Sequence, residues 1–237
     1  MTLKMAILAG GTAQRLRPVT EKIPKALIEI KNKLFIDWQL DLLSRKGISD
    51  VVLCVSYRAD LIMEHVGNGS KFNINVTYSE DGDELLGTGG AIKKAIPLLG
   101  EKFSVIYGDS YLDIDYQEAE STFENCGQPA MMTVYKNNGL HDQSNIKFIA
   151  PNVEEYCKNS NKNQFEYIDF GLNFFKKEIF DKEEYGRKFD LGVVCQDLAM
   201  DKKLAGLEVN KRFYEVGSFN GILDFCEYLE REDNVIH

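Results

Sequence analysis

Histidine is scarce in this chain. His65, His141 and His237 lie far apart, and suggest neither a zinc site nor a catalytic triad. Cysteine is no better grouped: Cys54, Cys126, Cys157, Cys195 and Cys226 show no paired spacing, the pattern of reduced thiols rather than of a disulfide framework or a zinc site. Long apolar runs are missing too. The N-terminal MTLKMAILAGG breaks at Gly10, too soon for a signal peptide, and no segment approaches the roughly 20 apolar residues of a membrane span. A cytoplasmic chain with no membrane partner is expected. Nor is there a dense basic run. Lys and Arg number 28 against 37 Asp and Glu, a formal charge of -9, which argues against nucleic acid as a partner because that affinity rests on neutralising many phosphates. An acidic chain can still hold a nucleotide, since a few cations in a cleft decide that locally.

What is present suits one packed domain: 237 residues, 44% hydrophobic and 27% charged. Short apolar runs at Met5–Ala9, Val51–Val55 and Phe103–Tyr107 read as buried strands, and Ile74–Tyr78 alternates like one. Between them, Phe35–Lys46 places Phe35, Trp38, Leu42 and Leu43 on one helical face, and Ala59–Val66 and Ala91–Leu99 read as helices. That rhythm predicts an α/β fold, with parallel strands joined by crossovers and helices on both faces of the sheet. Further strands are expected at Ala130–Tyr135, Asn145–Ile149 and Ile168–Phe175, and helices at Leu191–Asp201 and Phe219–Arg231. Ligands of such sheets bind beyond the carboxyl ends of the strands, where Gly10 and Asp109 both fall.

Three strings carry chemistry. Leu8–Leu27, LAGGTAQRLRPVTEKIPKAL, runs from a strand into two glycines and a loop holding Arg15, Arg17, Lys22 and Lys25. Glycine lets backbone N–H groups approach an anion, and the arginine fork matches phosphate with two parallel bonds. The string is neither a Walker A loop nor GxGxxG. Leu86–Ile92, LGTGGAI, brings glycines to the start of a helix, which by itself need be no more than a tight turn. Tyr107–Ser110, YGDS, puts a carboxylate at a strand end. An isolated Gly-Asp there is a capped turn as readily as a site for a hard cation such as Mg²⁺.

The first string resembles the signature of the nucleoside-diphosphate-sugar pyrophosphorylases, Gly-x-Gly-Thr-Arg-Leu-x-Pro-x-Thr followed by Pro-Lys. Gly10, Gly11, Arg15, Leu16, Pro18, Thr20, Pro24 and Lys25 are kept, while Ala13 replaces a glycine and Gln14 a threonine. The resemblance covers nearly the whole chain and is nearest to the short mannose and heptose 1-phosphate guanylyltransferases. It implies a three-layer α/β/α Rossmann-like fold with a mixed, mainly parallel central sheet. It also implies one nucleotidyltransferase domain over 1–237, with a nucleotide part at about 1–125 and a sugar-phosphate part with a C-terminal helix at about 126–237. By resemblance Arg15 grips the β- and γ-phosphates and Lys25 the α-phosphate. Leu8, Ala9, Gly10, Gly11 and Thr12 face the nucleotide, as do Gly87, Thr88 and Gly89 at its base and ribose. Asp109 matches the family's magnesium aspartate. Glu215 in RFYEVGSFNG stands where a second metal carboxylate, usually Asp, is found. Lys158 matches the lysine for the sugar phosphate, with Lys162 close enough to compete, and Asp169 and Gly171 in YIDFGL match the sugar-hydroxyl site.

The resemblance implies in-line attack of a sugar 1-phosphate, a hexose or heptose, on the α-phosphorus of a nucleoside triphosphate, with Mg²⁺ as cofactor and pyrophosphate leaving. GTP is favoured, from LGTGGAI. Uridylyl or cytidylyl transfer, a non-sugar phosphate acceptor, and a catalytically silent regulatory relative are the alternatives. The partners expected are the two small-molecule substrates, and the chain is expected to be a monomer or homodimer.

Overall fold

Alternation along the first strand sets up the architecture. In β1 (Lys4–Leu8), Met5 and Ile7 point to one face and Ala6 to the other, and all three are fully buried. A strand apolar on both sides needs cover on both sides, and the sequence supplies it with helices. On the Met5 and Ile7 face lie α1 (Phe35–Arg45), α2 (Ala59–Val66) and α4 (Tyr116–Asn125), packed through residues such as Leu40, Ile62 and Phe123. On the Ala6 face lie α3 (Gly87–Leu99) and α5 (Leu191–Met200), through Ile92, Ala95, Val194 and Leu198. The computed structural model describes residues 3–11, 16, 23–82, 84–140, 143–157 and 165–235, and the side chains as far as 232.

One nine-stranded sheet takes strands from both parts of the chain. With β4 (Asp50–Val55), β5 (Asn75–Glu80), β6 (Lys102–Tyr107), β8 (Ala130–Lys136), β9 (Ile146–Ile149), β10 (Asn152–Tyr156), β11 (Tyr167–Lys176) and β12 (Leu204–Val209), its order is β5-β4-β1-β6-β11-β8-β12-β10-β9. The β5-β4-β1-β6 half is wholly parallel. β11 reverses the direction against β6 and β8, and β10 reverses it again. The other strands share one direction, so the sheet is mixed and mainly parallel, as expected of an α/β fold.

Two short ribbons flank the sheet: β2 (Glu29–Ile30) with β3 (Lys33–Leu34), and β7 (Ser110–Tyr111) with β13 (Tyr214–Glu215). Over them lies the last helix, α6 (Phe219–Val235). Its Phe225 is fully buried among Phe35, Trp38, Tyr111 and Tyr214, a contact of about 1.5–3 kcal/mol by burial alone. This third cluster ties the end of the chain to α1 and to the strand after Asp109. Among the described residues no helix is long and apolar enough to cross a membrane.

Some elements went unread in the sequence. α4 begins at Asp115, whose carboxylate accepts from the Gln117 and Glu118 N–H groups, and it buries Tyr116, Ala119 and Phe123. Polar residues between those three hide the pattern. α3 starts at Gly87 rather than Ala91, its glycine turn being helical because another segment supports it.

Candidate active site

β1 leaves the sheet between β4 and β6, and the chain past it forms one wall of a pocket at the carboxyl ends of these strands. The Ala9 N–H donates to the Cys54 carbonyl at 2.8 Å, and Ser56 Oγ donates to the Gly10 carbonyl at 2.5 Å. A Cβ at Gly10 would sit 2.6 Å from Ser56 Oγ, so a side chain there would displace the Ser56 hydroxyl from this bond. Gly11 has nothing within 4 Å of a Cβ. Opposite, the Gly108 N–H donates to the Leu8 carbonyl at 3.0 Å, where a Cβ would approach within 2.7 Å. That contact carries Asp109 across to Lys25. Lys25 opens a one-turn helix, Lys25–Leu27, behind Pro24, and its Nζ lies 2.5 Å from Asp109 Oδ2 with both side chains about one-fifth exposed. Leu8, Ala9, Gly10, Gly11, Lys25, Gly87, Thr88 and Asp109 all line this one pocket.

Gly89 is placed differently. A Cβ there would strike the Phe189 ring at 2.4 Å, and one at Gly90 would meet the Arg187 carbonyl at 2.6 Å. The Gly89 and Gly90 N–H groups both donate to the Phe189 carbonyl, and Thr88 Oγ1 accepts from the Leu191 N–H at 2.9 Å. The first turn of α3 is therefore capped by the segment before α5, so its start is not an open anion site. Its glycines let two segments close to one hundred residues apart lie backbone to backbone, while Gly87 and Thr88 form the pocket wall.

A second pocket opens on the far side of Asp109, lined by Asp169, Arg212, Tyr214, Glu215, Ser218 and Asp224 among others. Asp169 stands where β11 begins to bulge against β8, between Asp169 and Asn173, with Gly171 at φ +102° inside the bulge. Asp169 Oδ1 accepts from the Gly171 N–H at 2.9 Å. The β7–β13 ladder joins the pockets: Glu215 pairs with Ser110, and the Val216 N–H donates to the Asp109 carbonyl at 2.9 Å. The glutamate folds back on the start of α6. Its Oε2 accepts from the Gly217 N–H at 2.6 Å and its Oε1 from Ser218 Oγ at 3.0 Å, in space that a Cβ at Gly221 would invade. Arg212 pairs with Asp224 and lies 4.9 Å over the Tyr214 ring.

Asp109 and Glu215 are the carboxylates here that could take a hard cation. Glu215 lies in the ladder opposite Ser110, and Asp109 just precedes that serine. Both offer only oxygen donors, as Mg²⁺ prefers, with Asp109 turned to Lys25 and Glu215 to Gly217 and Ser218. Among the described residues no three acidic, His or Cys side chains converge as a metal cluster, so a cation at this ladder would draw its other ligands from phosphate oxygens and water. Arg15, Thr12 and Lys158, like Lys162, lie outside the described residues.

Sequence reasoning missed Asp81, Cys54 and Tyr107 in the first pocket and Arg212 and Asp224 in the second. Asp81 follows β5 directly, so the strand-end rule that singled out Asp109 applies to it equally. Its Oδ2 accepts from the Leu86 N–H at 3.1 Å. Burial raises its pKa above the ordinary carboxylate value, and the Leu86 N–H and the Lys94 charge offset only part of this. Cys54 is pushed up to about 12, by burial first and by the Asp81 charge second, which makes it a wall and not a nucleophile.

Comparison with known proteins gives a consistent picture. The model of the nucleotidyl transferase family matches residues 4–232. The N-acetylmuramate alpha-1-phosphate uridylyltransferase of Neisseria meningitidis is 27% identical over 218 residues, which are 91% of this chain and 94% of that protein. The D-glycero-alpha-D-manno-heptose 1-phosphate guanylyltransferase of Aneurinibacillus thermoaerophilus is 30% identical over 209 residues, 78% of this chain and 88% of that protein. Among solved structures, HddC from Yersinia pseudotuberculosis complexed with GMP-PN has the same fold, with a TM-score of 0.79 at 24% identity over 96% of this chain and 100% of that one.

Proposed function

The chain belongs to the nucleotidyl transferase family, and from that premise we propose that it transfers a nucleoside monophosphate, from GTP by preference, to the phosphate of a hexose or heptose 1-phosphate, releasing pyrophosphate. The observation that carries this reading is the pairing of two pockets across one ladder, with Lys25 and Asp109 on one side and Glu215 and Asp169 on the other. A donor and an acceptor that must meet in line need such a junction. The sugar 1-phosphate is an anion already, so the reaction needs no general base, in keeping with the scattered histidines. The obstacle is repulsion between two polyanions.

In this reading Lys25 sits at the α-phosphate, Arg15 at the β- and γ-phosphates, and backbone from Leu8 to Thr12 against the triphosphate. Lys158 meets the sugar phosphate, while Asp169 and the Gly171 backbone meet sugar hydroxyls. Asp109 and Glu215 would hold Mg²⁺, which when bound supplies positive charge against the charge gathering on the leaving pyrophosphate. Removing one such charge-stabilising donor costs about 10² to 10³ in rate.

Asp81 supports guanine. A carboxylate accepts hydrogen bonds only, and the guanine edge offers two neighbouring donors, N1–H and N2–H. Uracil offers one N–H between two carbonyl oxygens, which a carboxylate repels. The experiment is a pyrophosphate-release assay with each nucleoside triphosphate against a panel of sugar 1-phosphates. GTP with a mannose- or heptose-type acceptor is the expected best pair, and Asp81→Asn is expected to reduce the GTP-over-UTP preference about tenfold. UTP turnover with GTP inert would replace the guanylyl reading by the uridylyl one carried by the Neisseria relative. Absence of pyrophosphate with every pair would leave a silent regulatory relative.

A further inference from the structure

Gln39 is the one side chain on α1 that is polar, buried and aimed at the site: it is 1% exposed, in a helix whose other buried positions are apolar. Its Nε2 donates to the Tyr107 carbonyl at 3.0 Å and to the Ser110 carbonyl at 2.8 Å. Those two carbonyls flank Gly108 and Asp109. The amide orientation follows from chemistry, because turning it over would set Oε1 against two carbonyl oxygens. Oε1 has no hydrogen-bond partner among the described residues, so the side-chain hydrogen bonds shown for Gln39 both go to this turn.

We propose that Gln39 is a positioning residue that braces the Asp109 turn and so sets where the Asp109 carboxylate and the paired Glu215 strand stand. Apart from the Lys25 pair at its carboxylate, the turn is otherwise fixed by backbone, through Gly108 N–H to Leu8 and Val216 N–H to the Asp109 carbonyl. A buried glutamine is costly in a helix that could have placed leucine there, and two backbone carbonyls would lose their donor without it. Apolar packing could hold α1 against the sheet. It could not hold the residues on both sides of Asp109 at one point.

Gln39→Met keeps the length and flexibility of the side chain and removes both donors. Amide hydrogen exchange of the ligand-free protein reads the brace directly: the Gly108 and Val216 amides are expected to exchange at least about tenfold faster. Leu43→Ala, another fully buried α1 position, serves as the control for general loosening of the helix. Binding of Mn²⁺ together with a non-hydrolysable GTP analogue is expected to need severalfold more metal in Gln39→Met and to be little changed in Leu43→Ala. Turnover should fall with little change in KM for the sugar phosphate. Gln39→Glu serves if the methionine variant does not fold. Its defect should ease at acid pH, where a protonated carboxyl can donate to one of the carbonyls.

Unchanged exchange at Gly108 and Val216, or equal change in the leucine control, would overturn the brace. Faster exchange with an unmoved metal requirement and turnover would overturn the positioning role. The catalytic arm rests on the function proposed above. Should the wild-type protein release no pyrophosphate, that reading fails while the exchange measurement on the ligand-free protein still decides whether Gln39 braces the turn.

Discussion

The pocket around Lys25 and Asp109 and the pocket around Asp169 and Glu215 are linked through the β7–β13 ladder but are built differently. The first lies over the parallel half of the sheet, where β1, β4 and β6 end side by side, and is shaped largely by backbone: Gly108 against the Leu8 carbonyl and Gly87 against the Phe189 carbonyl. The second lies where β11 reverses direction and bulges, and is shaped by side chains, with Asp169, Arg212, Glu215 and Asp224 gathered from β11, the segment before β13, β13 itself and α6. A surface made of backbone recognises what its ligands have in common. A surface made of charged side chains can change with its acceptor one residue at a time. Under the proposed function the first pocket would take the triphosphate and the second the sugar.

Asp109→Asn tests the contrast most severely. Turnover is expected to fall by at least about 10², with the fold intact. Asp169→Asn should instead act mainly on KM for the sugar phosphate. Matching changes in kcat and KM for the two variants, measured by initial-rate kinetics, would erase the division of labour.

Next in size is a comparison of two glycines. Gly89→Ala drives a methyl group into the Phe189 ring and should cost about 1–3 kcal/mol in denaturant unfolding. Gly11→Ala meets nothing and should stay within about 0.5 kcal/mol of wild type. Its effect should appear in KM for the nucleotide if the open backbone faces the phosphates.

Glu215→Gln should raise the Mg²⁺ concentration for half-maximal rate severalfold, and Glu215→Asp less so, since the shorter arm leaves the Gly217 and Ser218 hydrogen bonds behind. Superimposable Mg²⁺ titrations would remove Glu215 from the metal site and leave Asp109 alone.

The smallest effect concerns the seam between the two halves. Asp113 pairs with Lys46 at the end of α1 and with Lys211 ahead of β13. Burial works against its charge, but the two lysines outweigh it and hold the pKa below the usual value. A lowered folded-state pKa means that the stabilisation is fully present above the unfolded value, near 4, and is lost as pH falls through the folded one. Asp113→Asn should therefore cost less than about 1 kcal/mol at neutral pH and approach zero at low pH, by chemical denaturation at several pH values.

Much of the first pocket could be read from the chain because its parts are neighbours in sequence. Strand, glycines, loop and Lys25 follow one another, and YGDS announces Asp109 at a strand end. LGTGGAI was legible as a motif but not in its purpose. Gly89 and Gly90 answer to Arg187 and Phe189, residues that no local pattern connects to them. Asp81 was passed over because it sits in a polar run where one carboxylate looks like another. Gln39 went unnoticed because a glutamine in an amphipathic helix reads as a solvated residue, and only its burial shows otherwise.

The sequence by itself determined the α/β rhythm, the strand ends that carry Gly10 and Asp109, and the adjacency of Gly10 and Gly11 to the first strand. Those features arise from hydrophobic period and from glycine stereochemistry, both of which act over a few residues. Tertiary structure alone decided the reversal at β11, the capping of α3 by the segment before α5, the folding back of Glu215 onto α6 and the reach of Gln39 to the Asp109 turn. Glu215 turns onto its own neighbours Gly217 and Ser218, but its place beside Ser110 is a tertiary one. The first, second and last depend on groups far apart in the chain being brought within about 3 Å, the range over which a hydrogen bond forms or a methyl group is excluded, and no local pattern encodes that proximity.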